Sequence, residues 1–195
     1  MNERSFIMNL MKTNKQERIT QAVYLLVKKE GLVNLSMSKI AKTAQIAPAT
    51  IYIYYDSKMA LLSQLYRAAK LKLDGGLAAS WQGLDDTQDQ FAACLRYFAT
   101  TAMTYPEEYQ FMMAVNNSLE VIDEETQAFS AEMGQPLLDL FKKMTADSHF
   151  KRLTIEQALA FTFAPIESLV TGRTEKFSEA ELDQLVRMCL DALCV

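Results

Sequence analysis

From residue 14 onward, apolar side chains recur at the three- and four-residue spacing of amphipathic helices. Ile19, Ala22, Val23, Leu26 and Val27 mark one face of a helix over residues 14–30, and Gly31 is its stop. Ser36 then offers a hydroxyl cap to a second, short helix with Met37, Ile40, Ala41 and Ala44 inward. Residues 51–55, Ile-Tyr-Ile-Tyr-Tyr, break the rhythm: they alternate β-branched and aromatic residues with the period of a half-buried strand. No other segment offers a partner strand, however, and Pro48 suits the first position of a helix, where its missing N–H is not needed. A helix from Pro48 puts Ile51 and Tyr55 on one face, behind Ile46, and spreads Ala49, Thr50, Tyr52, Ile53 and Tyr54 over the rest of its surface. Asp56-Ser57 reads as a turn and cap. A long helix follows from Lys58 to about Leu77, with Leu61, Leu62, Leu65, Ala68, Ala69 and Leu73 inward. Beyond Gly75-Gly76 the pattern predicts helices near residues 86–104, 106–117, 123–145, 154–171 and 178–193. The expected fold class is all-α, with about nine helices and no repeat.

Composition agrees with a helical globular chain: 195 residues, 50% hydrophobic, with only six glycines and four prolines. Three cysteines, Cys94, Cys189 and Cys194, lack the close spacing of metal or redox sites and read as reduced thiols. No segment approaches the roughly eighteen apolar residues of a membrane span, and the start lacks an apolar run of signal-peptide length. A cytoplasmic protein with no membrane partner is expected. Charge sharpens the picture. Residues 12–70 hold ten lysines and arginines against three acids, +7, whereas residues 71–195 hold nine against twenty, −11, inside a total of −4. A basic amino-terminal third on an acidic remainder points to a polyanion-binding module on a non-binding body.

Three short helices, the last two joined by a tight turn and carrying net positive charge, describe a helix-turn-helix, whose last helix lies in the DNA major groove. Here the chain resembles the TetR family of bacterial transcriptional repressors. The residues that carry the likeness are Lys29-Glu30-Gly31, Leu35-Ser36-Met37-Ser38-Lys39-Ile40-Ala41, Ala44, Ile46, Thr50-Ile51-Tyr52-Ile53-Tyr54-Tyr55, Ser57-Lys58 and Leu61-Leu62. The resemblance implies a flexible arm at 1–12, a DNA-binding helix-turn-helix at 13–57 and a helical ligand-binding and dimerisation domain at 58–195. It makes Tyr52, Tyr54 and Lys58 phosphate contacts and turns Ser38, Pro48, Ala49 and Thr50 to the base edges. Ser36 and Lys39, at the start of the second helix, are further candidates for phosphate. Ile40, Ala44, Ile46, Ile51 and Tyr55 form the small core behind them. The chain departs from the family pattern in four places: Gln45 stands where the turn commonly has glycine, Ala47 where a serine caps, Ser38 where a basic side chain often reads guanine, and Ala49 where glycine is frequent. With few strong hydrogen-bonding side chains on the recognition helix, thymine-methyl contacts and DNA shape are expected to carry much of the specificity.

In the last two helices, apolar residues cover more of the circumference than one-sided packing requires, so a second buried face is implied. TetR-like proteins dimerise through these helices, which assigns Phe161, Phe163, Ile166, Leu169, Leu185 and Met188 to the interface of a homodimer reading a palindromic operator. Trp81, Phe98, Met103, Tyr109, Met112, Met113 and Met133 concentrate aromatic rings and adaptable thioethers between reader and dimer helices, which suits an apolar pocket. The resemblance implies a small-molecule effector there. The alternative is a body that serves only as a dimerisation or protein-interaction scaffold. Enzymatic chemistry fares poorly: His149 is the lone histidine, no phosphate loop, metal spacing or nucleophile motif is present, and Asp123-Glu124-Glu125 reads as a helix start. No cofactor and no metal are expected.

Overall fold

The computed structural model describes residues 14–171, 173 and 175–195. The expected arm at residues 1–12 lies outside these. Nine α-helices occur among the described residues: α1 Lys15–Glu30, α2 Met37–Thr43, α3 Pro48–Tyr54, α4 Lys58–Asp74, α5 Thr87–Thr104, α6 Pro106–Asn116, α7 Glu124–Ala146, α8 Ile155–Val170 and α9 Glu179–Leu193. Short 3-10 turns span Ala78–Trp81 and Leu119–Val121. The fold is all-α, and residues 51–54 belong to a helix.

The boundaries have local causes. Asn14 and Glu17 form a capping box at α1, its side chain accepting the Glu17 N–H at 2.9 Å while Glu17 accepts the Asn14 N–H at 3.2 Å. Thr154 with Gln157 and Ser178 with Glu181 repeat the device at α8 and α9. Asp86 accepts two N–H groups at the start of α5, and Ser57 accepts the Ala60 N–H at 3.0 Å at the start of α4. Where the spacing predicts that α4 runs to Leu77, it stops at Asp74. A Cβ on Gly75 would stand 2.3 Å from the Leu71 carbonyl oxygen, and one on Gly76 would stand 2.8 Å from the Tyr97 hydroxyl, which accepts the Gly76 N–H at 3.0 Å. The chain turns there because no side chain is in the way.

Contacts divide the chain into two compact units. The first holds residues up to Ala69 together with Glu107–Ala128. Its core is Ile19, Ala22, Val23, Ile40, Ala41, Ala44, Ile51, Leu61 and Leu62, all fully buried, with Tyr66, Phe111, Val115 and Ile122. Tyr24 packs on Phe111 with ring centroids 5.2 Å apart. Polar ties join α4 to residues 116–126: the Tyr66 hydroxyl donates to Asn116 at 2.6 Å, the Asp123 N–H to the Ser63 hydroxyl at 3.0 Å, and the Arg67 Nε to the Thr126 hydroxyl at 2.8 Å.

The second unit holds Lys70–Pro106 and Phe129–Val195. There α5, α8 and α9 pack on one another. Phe91 meets Phe141 and Phe150 at 5.0 and 5.9 Å, and Phe163 meets Phe98 and Phe141 at 4.6 and 6.2 Å, a continuous aromatic core. Phe150 and Cys194 pair through an isolated antiparallel bridge that ties the chain end to the α7–α8 connection. All three cysteines are free, and burial pushes the Cys94 thiol up to about 12.

Candidate nucleic-acid interface

The interface is built from two short helices and the turn between them. Ser36 caps α2 by accepting the Lys39 N–H at 3.3 Å, which sets the start of that helix and leaves Ser38 and Lys39 exposed. α2 ends at Thr43 with Ala44 as its C-cap, and the Ile46 N–H returns to the Ala41 carbonyl at 3.0 Å to close the turn. Gln45 takes the strain with φ 54°, the left-handed region that glycine occupies freely. Its carbonyl accepts the Arg18 Nη2 at 2.7 Å, so α1 holds the turn from behind.

Pro48 opens α3, and Ala47 supplies no side-chain cap. Ile51 within the helix and Tyr55 just after it are buried, and Ile46 is half-buried. The opposite surface carries Pro48, Ala49, Tyr52, Ile53 and Tyr54 in solvent, with Thr50 half-buried. Tyr52 is 54% exposed and Ile53 77%, values that neither would have against a core. The period-two alternation of residues 51–55 thus falls on a helix whose Ile51 faces in and whose tyrosines diverge.

The lysines are already engaged within the chain. Lys39 pairs with Glu30 at 2.7 Å, and Lys58 donates to the Leu35 carbonyl at 3.1 Å. Each ammonium carries three N–H donors, so these bonds orient it and leave further protons for an anion. Arg18, one of the basic residues before the reader, is spent on the Gln45 carbonyl and has a buried Nε without a partner among the described residues. Ile53 is the exposed residue that sequence reasoning left without a role; its position between two solvent-facing tyrosines was the available signal.

The residues expected to line an effector pocket are divided between the two units. Tyr109 and Met112 are buried and Met113 half-buried in the first; Trp81, Phe98, Met103 and Met133 are half-buried in the second. Met133 lines a cavity of about 290 Å³ with Leu77, Ala78, Phe129 and Pro136, bounded by the carboxylates of Asp74 and Glu132. Phe98 is taken up by its ring contact with Phe163.

Of the residues expected at a dimer interface, Phe161, Leu169 and Met188 are exposed. They border a groove of about 410 Å³ along α8 and α9 that also includes Pro165, Phe177 and Leu185. Ile166 and Leu185 are buried within the unit, and Phe163 turns to Phe98 and Phe141. No helix among the described residues is long and apolar enough to cross a membrane, and no group of three or more His, Cys, Asp or Glu among them could hold a metal ion.

Residues 19–65 match the bacterial regulatory proteins of the tetR family. An uncharacterized HTH-type transcriptional regulator of Haemophilus influenzae is 46% identical over 57 residues, which is 29% of this chain and 30% of that protein. The chain therefore aligns with less than a third of that relative's length. The fold extends the likeness along the chain. The crystal structure of a TetR family transcription regulator from Marinobacter aquaeolei VT8 superposes with a TM-score of 0.75 at 22% identity, covering 92% of this chain and 95% of the other. A bacterial regulatory protein in the tetR family from Rhodococcus RHA1 does so at 0.69 and 16% identity, covering 94% and 100%. The helix-turn-helix segment at residues 19–65 is thus similar in sequence to the tetR family of bacterial regulatory proteins, and the whole chain shares the fold of solved TetR-family regulators.

Proposed function

We propose that the protein is a homodimeric repressor that reads a palindromic operator with α3 in the major groove and leaves it when a small, largely apolar ligand binds. The observation that carries the reading is the sidedness of α3: Ile51 and Tyr55 anchor it, while Pro48, Ala49, Tyr52, Ile53 and Tyr54 stand in solvent. A helix that exposes an isoleucine and two tyrosines on one surface has an apolar face for base edges and rings with hydroxyl tips for the sugar-phosphate backbone. In this reading Tyr52, Tyr54, Lys58, Ser36 and Lys39 hold phosphate and fix the register. Ser38, Pro48, Ala49 and Thr50 approach the bases. The exposed Phe161, Leu169 and Met188 join two copies, as required for two readers about one DNA turn, roughly 34–36 Å, apart. The Met133 cavity supports an effector of modest size.

A second reading, a body without effector, draws support from the filled aromatic core around Phe141 and Phe163. Binding of the full chain to the DNA immediately upstream of its own gene, at two salt concentrations and with an excess of unrelated DNA, tests the main reading. Tight binding that resists competitor and weakens with salt is the expected result; uniformly weak, competitor-sensitive binding would refute sequence-specific reading there. Release of that complex by an apolar compound library separates the two versions of the body.

A further inference from the structure

A second cavity, of about 460 Å³, lies within the first compact unit. Gln21 and Tyr24 of α1, Tyr55 at the end of α3, Gln64 of α4, and Glu107 and Glu108 of α6 line it. Two of these side chains are tyrosines buried over most of their surface. Tyr55 is 4% exposed and Tyr24 9%, and neither forms a side-chain hydrogen bond among the described residues. The Gln21 Oε1 is buried and likewise has no partner among them. A buried polar atom without a partner is uncommon, and the Gln21 oxygen is one, on a wall where two phenols also form no side-chain hydrogen bond.

The chemistry of the wall selects the guest. Gln21 Oε1 and the carboxylates of Glu17, Glu107 and Glu108 only accept hydrogen bonds, the phenols accept as well as donate, and the amide groups of Gln21 and Gln64 add donors. Burial first, then Glu108 and Glu107, push the Tyr24 phenol up, so it stays neutral and adds no charge of its own. Three carboxylates, an unpartnered carbonyl oxygen and two aromatic faces suit a cation that brings N–H donors and an apolar stem. No group of three or more His, Cys, Asp or Glu that could hold a metal ion occurs among the described residues.

We propose that this cavity binds a small protonated organic amine, its ammonium against Glu107 and Glu108 and its donors on Gln21, Tyr24 and Tyr55. The site differs in place from the cavity beside Met133, and it does not depend on the repressor reading. Calorimetric titration of the full-length, DNA-free protein with 1,4-diaminobutane at constant ionic strength, beside the neutral 1,4-butanediol, tests it. The diamine is expected to bind saturably at one site per chain and the diol not to bind. Glu107→Gln and Tyr24→Phe are each expected to weaken the diamine about tenfold by removing a charged or a hydroxyl partner. Glu107 is exposed and Tyr24→Phe keeps the ring on Phe111, so circular dichroism and melting should report folded variants. No binding of the diamine, equal binding of the diol, or wild-type affinity in folded Glu107→Gln would overturn the proposal.

Discussion

Gln45 shows how much one backbone position contributes. Its φ of 54° places a Cβ where glycine has none, at a cost of about 1 kcal/mol. The position is held because the Gln45 carbonyl accepts from Arg18 and the neighbouring Ile46 N–H donates to the Ala41 carbonyl, so the turn is fixed from both sides. Gln45→Gly should therefore raise the unfolding free energy by about 0.5–1 kcal/mol, less than the full strain because glycine also loosens the unfolded chain. Urea unfolding monitored by circular dichroism measures this, and an unchanged or lower midpoint would show that the turn carries no strain. On the recognition surface, Ile53 and Tyr52 should separate two kinds of contact. Ile53→Ala is expected to flatten the preference at one base pair by about 1 kcal/mol. Tyr52→Ala should weaken all sequences alike. Binding-site selection with both variants distinguishes them, and a uniform loss in Ile53→Ala would remove isoleucine from base reading.

At the scale of elements, helix starts were the most legible features in the sequence. Asn14, Ser36, Ser57, Asp86, Thr154 and Ser178 each have a short acceptor side chain ahead of an apolar rhythm, and each caps the helix that follows. The ends were less so. α4 keeps its apolar spacing through Leu77 but stops at Asp74, because its end is set by the Leu71 carbonyl and the Tyr97 hydroxyl standing over two glycines, a tertiary fact invisible to periodicity. The α9 start also carries a pH signature. Hydrogen bonds from the Ser178 N–H, then from Arg173 and the Ser178 hydroxyl, hold the Glu181 carboxyl down at about 2 against an ordinary 4.5. A depressed carboxylate stabilises the fold above its unfolded value and loses that contribution as it is protonated. The contribution is thus fully present above pH 4.5 and fades as pH falls toward 2. Glu181→Gln should lower the urea midpoint at neutral pH and leave little difference from wild type near the bottom of that window. A difference that stays constant with pH would assign the effect to shape and not to charge.

Across the whole molecule, the reader was more legible than the body. Lys39, Pro48, Tyr52 and Tyr54 lie on a local motif whose spacing fixes their exposure, whereas Tyr109, Met112, Phe98 and Met133 were grouped by composition and are divided between two compact units. Which aromatic side chains line a space and which fill it depends on how distant helices meet, and Phe98 is filled by Phe163 from some sixty residues away. The outer face of α8 and α9 is intermediate: amphipathic excess announced it, but only packing sorts Phe161, Leu169 and Met188, which are exposed, from Ile166 and Leu185, which are buried. A two-fold interface sets each residue close to its own copy or a symmetric neighbour, so one negative charge introduced there is introduced twice across the same apolar surface. If the proposed dimer pairs there, Met188→Glu is expected to convert it to monomer in analytical ultracentrifugation. With dimerisation lost, binding to a full two-half-site operator should fall to that of one half-site, because the second reader no longer arrives with the first. Leu138→Glu on α7, at a position also exposed, is the control and should leave both properties intact. If Met188→Glu stays dimeric and binds the full operator as before, the pairing surface lies elsewhere, and the groove along α8 and α9 would have to be covered by something other than a second copy.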